Sequence, residues 1–416
     1  MNDLIRTFGR IGLLSFGGPA AQIALMHRVL VDEKDWLKEK EFLNALSFSM
    51  LLPGPEAMQL AIFAGWRRAG VPGGLIAGGL FVLPGAFVIM ALATIYVVYG
   101  NVPFVDAIFL GVQATVVAIV LEALFKVTKR AIRRRADWAV AGLSFLAIFA
   151  LSLPFPLIIA LAALWGAFSA PADDTASATL PPQSAQANTV GTVAVWLALW
   201  FAPVAVLAAL NASLLTDIAL FFSKLAVVTF GGAYALLAYM TQTVVADFGW
   251  ITTEEMMDGL GLAETTPGPL ILVTQFVGFL AGYNEAGLGR GFLAAAVTLW
   301  VTFMPCFLWI FAGAPYVERL LHMPRLSGAL HAITAAVVGV ILNLSLWFSA
   351  HVVFRDIGTT SIGPFQFITP TLSSIDVLAA GIAVVSAVLL LRVRIGIVPT
   401  LAVGAALGMF SLLPGV

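Results

Sequence analysis

Residues 3–55 of this chain recur at residues 217–269 in one ungapped register, offset by 214 positions. Ser15-Phe16-Gly17-Gly18 returns as Thr229-Phe230-Gly231-Gly232, and Pro53-Gly54-Pro55 returns as Pro267-Gly268-Pro269. In the same register Asp3, Phe8, Ala21, Ala24, Met26, Val31, Trp36, Glu41 and Leu46 meet their own kind at Asp217, Phe222, Ala235, Ala238, Met240, Val245, Trp250, Glu255 and Leu260, and Arg10 meets Lys224. Past the second break the register slips to 217, where Ala64-Gly65-Trp66 meets Ala281-Gly282-Tyr283, as small insertions in a loop produce. An internal duplication sets the architecture before any single residue is interpreted.

The solvent of this architecture follows from composition. The chain is 61% hydrophobic and 10% charged, where a soluble domain carries about 25% charged residues. Apolar stretches of membrane-crossing length, about 18 residues or more, recur along it. A polytopic, all-α membrane protein is therefore predicted, with the lipid bilayer as a partner. A net charge of −1 carries no electrostatic footprint of nucleic acid, and a lone Cys306 excludes a disulfide framework within the chain. Arg6 and Arg10 before Ile11 to Phe16 and a Gly-Gly-Pro-Ala-Ala run imitate a signal peptide. The same pattern returns at Lys224 to Ala235, in mid-chain, so both are structural.

Apolar segments run at about 4–31, 41–66, 71–100, 103–125, 137–153, 155–169 and 191–211, then 216–246, 254–284, 288–315, 326–350, 374–391 and 395–414. The stretch Pro171 to Asn188, rich in Ala, Ser, Thr, Pro and Gln, cannot bury a core and reads as a flexible linker. The expected organisation is an N-terminal membrane repeat over 1–170, a linker over 171–190, a connecting transmembrane helix over 191–211 and a C-terminal repeat over 212–416. Lys126, Lys129, Arg130, Arg133, Arg134 and Arg135 belong in the cytoplasm by the positive-inside rule, whereas the corresponding region of the second half, around 351–374, holds only Arg355. The two repeats are thus predicted to be inverted, the connecting helix supplying the odd crossing; the alternative is two parallel halves. The N-terminus is placed in the cytoplasm and the protein in the cell inner membrane.

Segments 4–31 and 41–66 would each measure about 40 Å as straight helices, against a hydrocarbon core of about 30 Å. Each is broken near its middle, at Gly17-Gly18-Pro19 and at Pro53-Gly54-Pro55. Two re-entrant hairpins entering from the cytoplasm keep Lys34, Lys38, Lys40, Arg67 and Arg68 inside; tilted, kinked spanning helices are the competing reading. The count is about nine full spans plus four re-entrant hairpins, or about thirteen spans.

Both geometries have one chemical consequence. Unwound backbone inside a bilayer survives only where protein buries it or where it lines an aqueous cavity. A helix restarting after Pro19 or Pro55 loses nothing by proline in its first turn, and its free N–H groups and positive dipole end face the break. Gly17, Gly18, Gly54, Gly231, Gly232 and Gly268 leave the backbone open to close approach. Four such breaks converging from both leaflets make an anion site at the midplane of a transporter; the plainer alternative is that they only permit kinks and close helix packing.

Phe16-Gly17-Gly18-Pro19, Leu52-Pro53-Gly54-Pro55, Phe230-Gly231-Gly232 and Thr266-Pro267-Gly268-Pro269 resemble the chromate ion transporter family in its long form, in which two homologous halves are fused. The resemblance covers almost the whole chain. It departs from symmetry at Ala233, which stands where the first copy has Pro19. It implies export of chromate, a tetrahedral oxyanion shaped like sulfate, and chromate resistance of a bacterial cell. No spacing or periodicity shows chromate, and a carrier or channel for sulfate or another oxyanion is the alternative.

A dianion needs more than helix ends worth about half a charge each. Arg10 and Lys224, equivalent under the repeat, are candidates for site or pathway, or for interfacial anchors. Ser15, Gln22, Gln59, Thr229, Thr265, Thr266 and Gln275 are polar neighbours able to donate hydrogen bonds. Glu56 directly follows one Pro-Gly-Pro and Glu264 precedes the other by three residues. Beside an anion they must be protonated or paired with Arg10 or Lys224, so they are candidates for coupling. His27, His322, His331 and His351 lack the spacing of a metal site. No cofactor and no enzymatic nucleophile, metal cluster or phosphate loop is expected. Asp32 to Glu41 reads as a solvated loop, and Gly73-Gly74 and Gly78-Gly79 can pack helices within a monomer or between two chains of a homodimer.

Overall fold

The computed structural model describes residues 1–100, 102–169, 189–230, 233–317, 320, 323–362 and 365–412. The glycine pair Gly231-Gly232, His322 and all but the last two residues of the expected linker lie outside them. In chain order the helices are α1 (Asn2–Leu14), α2 (Gly18–His27), α3 (Glu39–Leu51), α4 (Glu56–Tyr99), α5 (Pro103–Ala131), α6 (Arg135–Phe149), α7 (Phe155–Ser169) and α8 (Thr189–Ala209). They continue as α9 (Ser213–Val228), α10 (Ala233–Thr241), α11 (Thr253–Thr265), α12 (Val273–Gly313), α13 (Pro324–Val353), α14 (Val377–Ala387) and α15 (Ile397–Gly408). Two strands, β1 (Ile357–Ile362) and β2 (Phe365–Pro370), interrupt the helical series. Two compact units emerge: Met1–Ala93 with Ala167–Ala233 and Thr266–Gly328, and Thr94–Gly166 with Tyr234–Thr265 and Ala329–Val416.

The first unit begins with a helical hairpin. Leu4, Thr7, Phe8 and Ile11 make the buried stripe of α1 at helical spacing. The helix stops at Ser15, where the Phe16 N–H turns to the Leu14 carbonyl at 2.9 Å, and Gly17 at φ 85° starts α2 in a conformation that favours glycine. The return arm runs through α2 and a π-helical turn over Arg28–Glu33. Its end meets the start of α1: Lys34 Nζ lies 2.8 Å from Asp3 Oδ1, Arg10 reaches Glu33 at 3.2 Å, and the Phe8 and Trp36 rings are 6.2 Å apart. The segment 32–41, expected as a solvated loop, ties this hairpin together through ion pairs.

A second hairpin follows. α3 opens with Glu41 accepting the Lys38 N–H at 3.1 Å, which satisfies one donor at the helix start. It breaks after Leu51, and α4 returns so that Arg67 lies 3.4 Å from Glu41. α4 itself doubles back at Ala69 and Gly70, the latter at φ 63°. A Cβ on Gly65 would collide with the Gly73 carbonyl and the Ala77 side chain, and one on Gly73 with the Gly65 carbonyl, so the two arms of the turn lie antiparallel, in backbone contact at Gly65 and Gly73. The second copy repeats the device. α12 leaves helical geometry at Ala286 and Gly287, at φ 76°, and a Cβ on Gly282 would collide with Arg290 and Ala294. In an apolar solvent van der Waals packing drives association, so small residues occupy these crossings.

α8 and α9 close the first unit against α12. Trp196 stacks on Phe307 with centroids 5.7 Å apart, and Trp200 donates its indole N–H to Ser223 at 3.1 Å. Phe8, Met26, Phe42, Phe48, Phe81, Phe222, Phe276 and Phe279 are fully buried.

The second unit is built on α5. Gly111 meets Gly404 backbone to backbone where α15 crosses it, and Thr115 Oγ1 lies 3.0 Å from Ser386 Oγ of α14. Asp137 starts α6 by accepting the Arg133 and Arg134 N–H groups at 2.8 and 2.7 Å. The β1–β2 hairpin pairs antiparallel, from Ile357 with Pro370 to Ile362 with Phe365. It stands in the 351–374 region, where the sequence predicts a loop. Behind it Asp376 caps α14 through the Ala379 N–H at 2.9 Å and holds the Arg355 guanidinium at 2.8 Å.

Among the described residues, five helical stretches are long and apolar enough to cross a membrane: Glu56–Tyr99, Pro103–Ala131, Thr189–Ala209, Leu270–Tyr316 and Pro324–Val353. This is a multi-pass membrane protein of the all-α kind. The other four of the nine expected full spans form shorter helices, α6 and α7 of 15 residues each and α14 and α15, which run on through Val393 and Leu412. At about 1.5 Å per residue the described parts measure about 23–26 Å, against a hydrocarbon core of about 30 Å.

Candidate functional site

All the described break residues except Thr265 belong to the first unit, and two hydrogen bonds between the repeats organise them. The Gly54 N–H donates to the Thr229 carbonyl at 2.9 Å, and the Gly268 N–H donates to the Ser15 carbonyl at 2.8 Å. Gly54 is equivalent to Gly268 and Ser15 to Thr229, so the second break of each copy binds the first break of the other. Such reciprocity is what a pseudo-two-fold relation produces. Both glycines sit at positive φ, 109° and 91°, in a region that L side chains rarely adopt. Matching turns precede them: Phe16 N–H to Leu14 carbonyl at 2.9 Å, Phe230 N–H to Val228 carbonyl at 3.1 Å.

Packing around the breaks is equally close. A Cβ on Gly85 of α4 would collide with the Pro267 carbonyl, and one on Gly54 would lie 3.2 Å from Cys306 Sγ of α12. Neither Gly85 nor Cys306 stood out in the sequence, because a helical glycine and a lone cysteine carry no local signal of what they pack against. Pro53, Gly54, Thr266, Pro267, Gly268 and Pro269 are buried, Pro55 and Glu56 half-buried. The first break is more open: Phe16 is 42% exposed and Gly17 and Pro19 are exposed as well.

Side-chain donors near the breaks are already engaged. Ser15 Oγ and Thr229 Oγ1 bond the carbonyls one turn back, of Ile11 and Leu225, and Thr265, in the second unit, bonds the Leu262 carbonyl. Gln22 Nε2 donates to the Gly268 carbonyl at 2.6 Å, Gln59 Nε2 to Pro53 at 2.6 Å and Gln275 Nε2 to Ala86 at 3.1 Å. The three glutamines are 1%, 0% and 2% exposed, and their Oε1 atoms have no partner among the described residues. They brace unwound backbone and present acceptors, to water or to a protonated oxygen. What remains for an anion is main-chain: the Gly17 and Gly18 N–H groups, which meet no acceptor among the described residues, and the first turn of α2.

The charged candidates separate. Arg10 and Lys224 are both exposed, Arg10 being ion-paired with Glu33 rather than with Glu56 or Glu264. Glu264 lies in the second unit, 7% exposed, and accepts the Tyr234 hydroxyl at 2.7 Å. The same helix α11 buries Asp258, which accepts from Tyr96 Oη at 2.8 Å and Gln113 Nε2 at 2.7 Å. Asp258 went unnoticed in the sequence, although an acid inside the apolar segment 254–284 was the available signal.

Comparison with known proteins bears on this geometry. The family model described as Chromate transporter matches residues 2–167 and 216–409. A chromate transport protein of Pseudomonas aeruginosa is 34% identical over 352 residues, covering 82% of this chain and 79% of that one. A probable chromate transport protein of Synechococcus elongatus is 30% identical over 346 residues, 82% of each chain. A chromate transport protein of Cupriavidus metallidurans is 28% identical over 421 residues, 98% of this chain and 92% of that one. No solved structure matches the chain. The two matched segments together span most of the sequence: the chain belongs to the chromate transporter family.

Proposed function

We propose that this chain is a carrier of the cell inner membrane that exports chromate and thereby makes a cell chromate-resistant. The observation that carries the reading is the reciprocal pair of bonds between breaks, Gly54 to Thr229 and Gly268 to Ser15, which joins unwound backbone from both repeats inside one unit. Main-chain N–H groups at Gly17 and Gly18 and the N-terminal end of α2 hold the tetrahedral dianion at the membrane midplane. Arg10 and Lys224, on the helices that lead into the first break of each copy, line its approach and raise the local anion concentration.

The repeats are inverted in this reading, with the N-terminus cytoplasmic and the α1–α2 and α3–α4 hairpins re-entrant. Support comes from the pairs Asp3–Lys34 and Glu41–Arg67, which bring the two ends of each hairpin together, as entry and exit at one face require. Exchange of access proceeds by rocking of one repeat against the other. Outward movement of a dianion across an inside-negative membrane releases about 4.6 kcal/mol per 100 mV, enough to drive efflux by potential alone.

The test is chromate flux in proteoliposomes of the purified protein, with the potential clamped and sulfate as competitor. Saturable flux that follows the potential and resists excess sulfate is expected. Flux abolished by sulfate recasts the protein as a general oxyanion carrier, non-saturating flux makes it a channel, and no flux for either anion overturns the reading.

A further inference from the structure

We propose that α11 carries a proton-binding site, formed by Asp258 and Glu264, whose proton occupancy rises when the anion binds; this rests on the carrier reading above. Each acid is buried, at 4% and 7% exposure, and each is held by a tyrosine hydroxyl, Tyr96 for Asp258 and Tyr234 for Glu264, at 2.8 and 2.7 Å. Gln113 completes the shell of Asp258. These partners are neutral hydrogen donors. They stabilise a carboxylate by hydrogen bonding without cancelling its charge, and a buried charge left uncompensated is costly. Taking up a proton removes that cost, so the pair is built to change protonation rather than to hold a fixed charge. The surrounding groups with electrostatic influence are few. Glu254 and Glu255 on α11 act on Asp258, and both repel a second negative charge. Glu122 and Lys126 of α5 act on Glu264, and they are paired with each other at 2.8 Å, Lys126 being 66% exposed. α15, which also packs on α11, offers no titratable side chain. A metal is a poorer occupant, since hydrogens rather than lone pairs point at the carboxylates, and among the described residues no three His, Cys, Asp or Glu groups could hold one.

The link to the anion is covalent continuity. Tyr234 follows Gly232 by two residues and Glu264 precedes Thr266 by two, a Cα path of at most about 7.6 Å at each end. The Tyr234–Glu264 bond therefore joins the chain leaving one break of the second repeat to the chain entering the other. Under the repeat, Tyr234, Asp258 and Glu264 correspond to Ala20, Asn44 and Met50, so the device exists in one copy only and is not an inherited packing feature. A dianion at these breaks repels an ionised Glu264 and favours its neutral form. By reciprocity, protonation tightens anion binding by the same factor.

The experiment is chromate binding to the purified full-length chain between pH 7.5 and 8.5, where chromate is a dianion, in weakly buffered solution with a pH indicator and parallel calorimetry. Proton uptake on binding is expected, with affinity falling about tenfold per pH unit for one proton taken up. Asp258→Asn and Glu264→Gln should bind with uptake reduced or lost and with affinity flatter against pH, while Tyr234→Phe keeps the acid and shifts the pH at which uptake occurs. Wild-type binding with no proton uptake across this range overturns the proposal and leaves the carrier reading intact, whatever the variants do. Absence of chromate binding refutes the carrier reading and the proposal together.

Discussion

At the scale of residues, the glycines of the breaks divide by what surrounds them. A Cβ on Gly18 meets nothing within 4 Å, its φ being 79°, so a side chain there costs backbone strain of about 1–3 kcal/mol and no collision. Gly18→Val is expected to insert and fold with a modestly lowered melting temperature, and to lose chromate flux because bulk covers the Gly17 and Gly18 N–H groups. Flux retained in folded Gly18→Val protein would remove these N–H groups from the site. Gly85 is the opposite case, because its Cβ would strike the Pro267 carbonyl. Gly85→Ala should depress folding yield and thermal stability more than Gly18→Ala, because a backbone carbonyl yields less than open space and overpacking costs about 3 kcal/mol or more in such cases; detergent melting curves of the two variants give the ranking. The glycine runs and the Pro-Gly-Pro motifs were legible in the sequence, since positive φ is written locally in residue type. Gly85 and Cys306 were not, since a contact partner is written nowhere near the residue it touches.

At the scale of elements, the hairpins are held at their open ends by charge and at their crossings by glycine. Cysteines placed one at a time over residues 34–40 are expected to react with a membrane-impermeant reagent from the cytoplasmic side, and labelling from outside would make α1 and α2 one kinked span. Outside the spans, Asp376 offers a pH-dependent joint. Burial alone would raise its carboxyl, but the Ala379 N–H and the Arg355 guanidinium hold it below the ordinary value. A group depressed in this way stabilises the fold above its unfolded pKa of about 3.9, and that contribution is lost as pH falls through the lower folded value. Hydrogen-exchange protection of the first turn of α14 should therefore hold at pH 5 and fall below pH 4. Asp376→Ala should remove about 1 kcal/mol of cap stabilisation at pH 7 and abolish that acid sensitivity. The helices themselves follow the apolar segments closely, since period and punctuation define them. The β1–β2 hairpin escaped because its Thr-rich, Gly-Pro-containing stretch lacks an apolar alternation strong enough to outweigh a loop.

At the scale of the molecule, each half lacks what the other supplies. Gly54 in the first half finds its acceptor at Thr229, and Gly268 in the second finds its own at Ser15. A chain divided within 171–188 and expressed as two pieces is expected to restore flux only when both are present; flux from residues 1–170 alone would contradict the interlocked breaks. What the sequence by itself determined is the duplication, the apolar solvent, the positions of the breaks and the family resemblance, because composition, period and glycine-proline chemistry are properties of residues and their spacing. What only the tertiary structure decided is how the breaks are used. It paired the second break of each copy with the first break of the other, spent the hydroxyl and amide donors on backbone carbonyls, left main-chain N–H groups open at Gly17 and Gly18, and buried Asp258 and Glu264 under tyrosines. Those outcomes depend on which groups compete for the same partner in space, and hydrogen-bond competition across hundreds of residues leaves no mark on the local order of the chain.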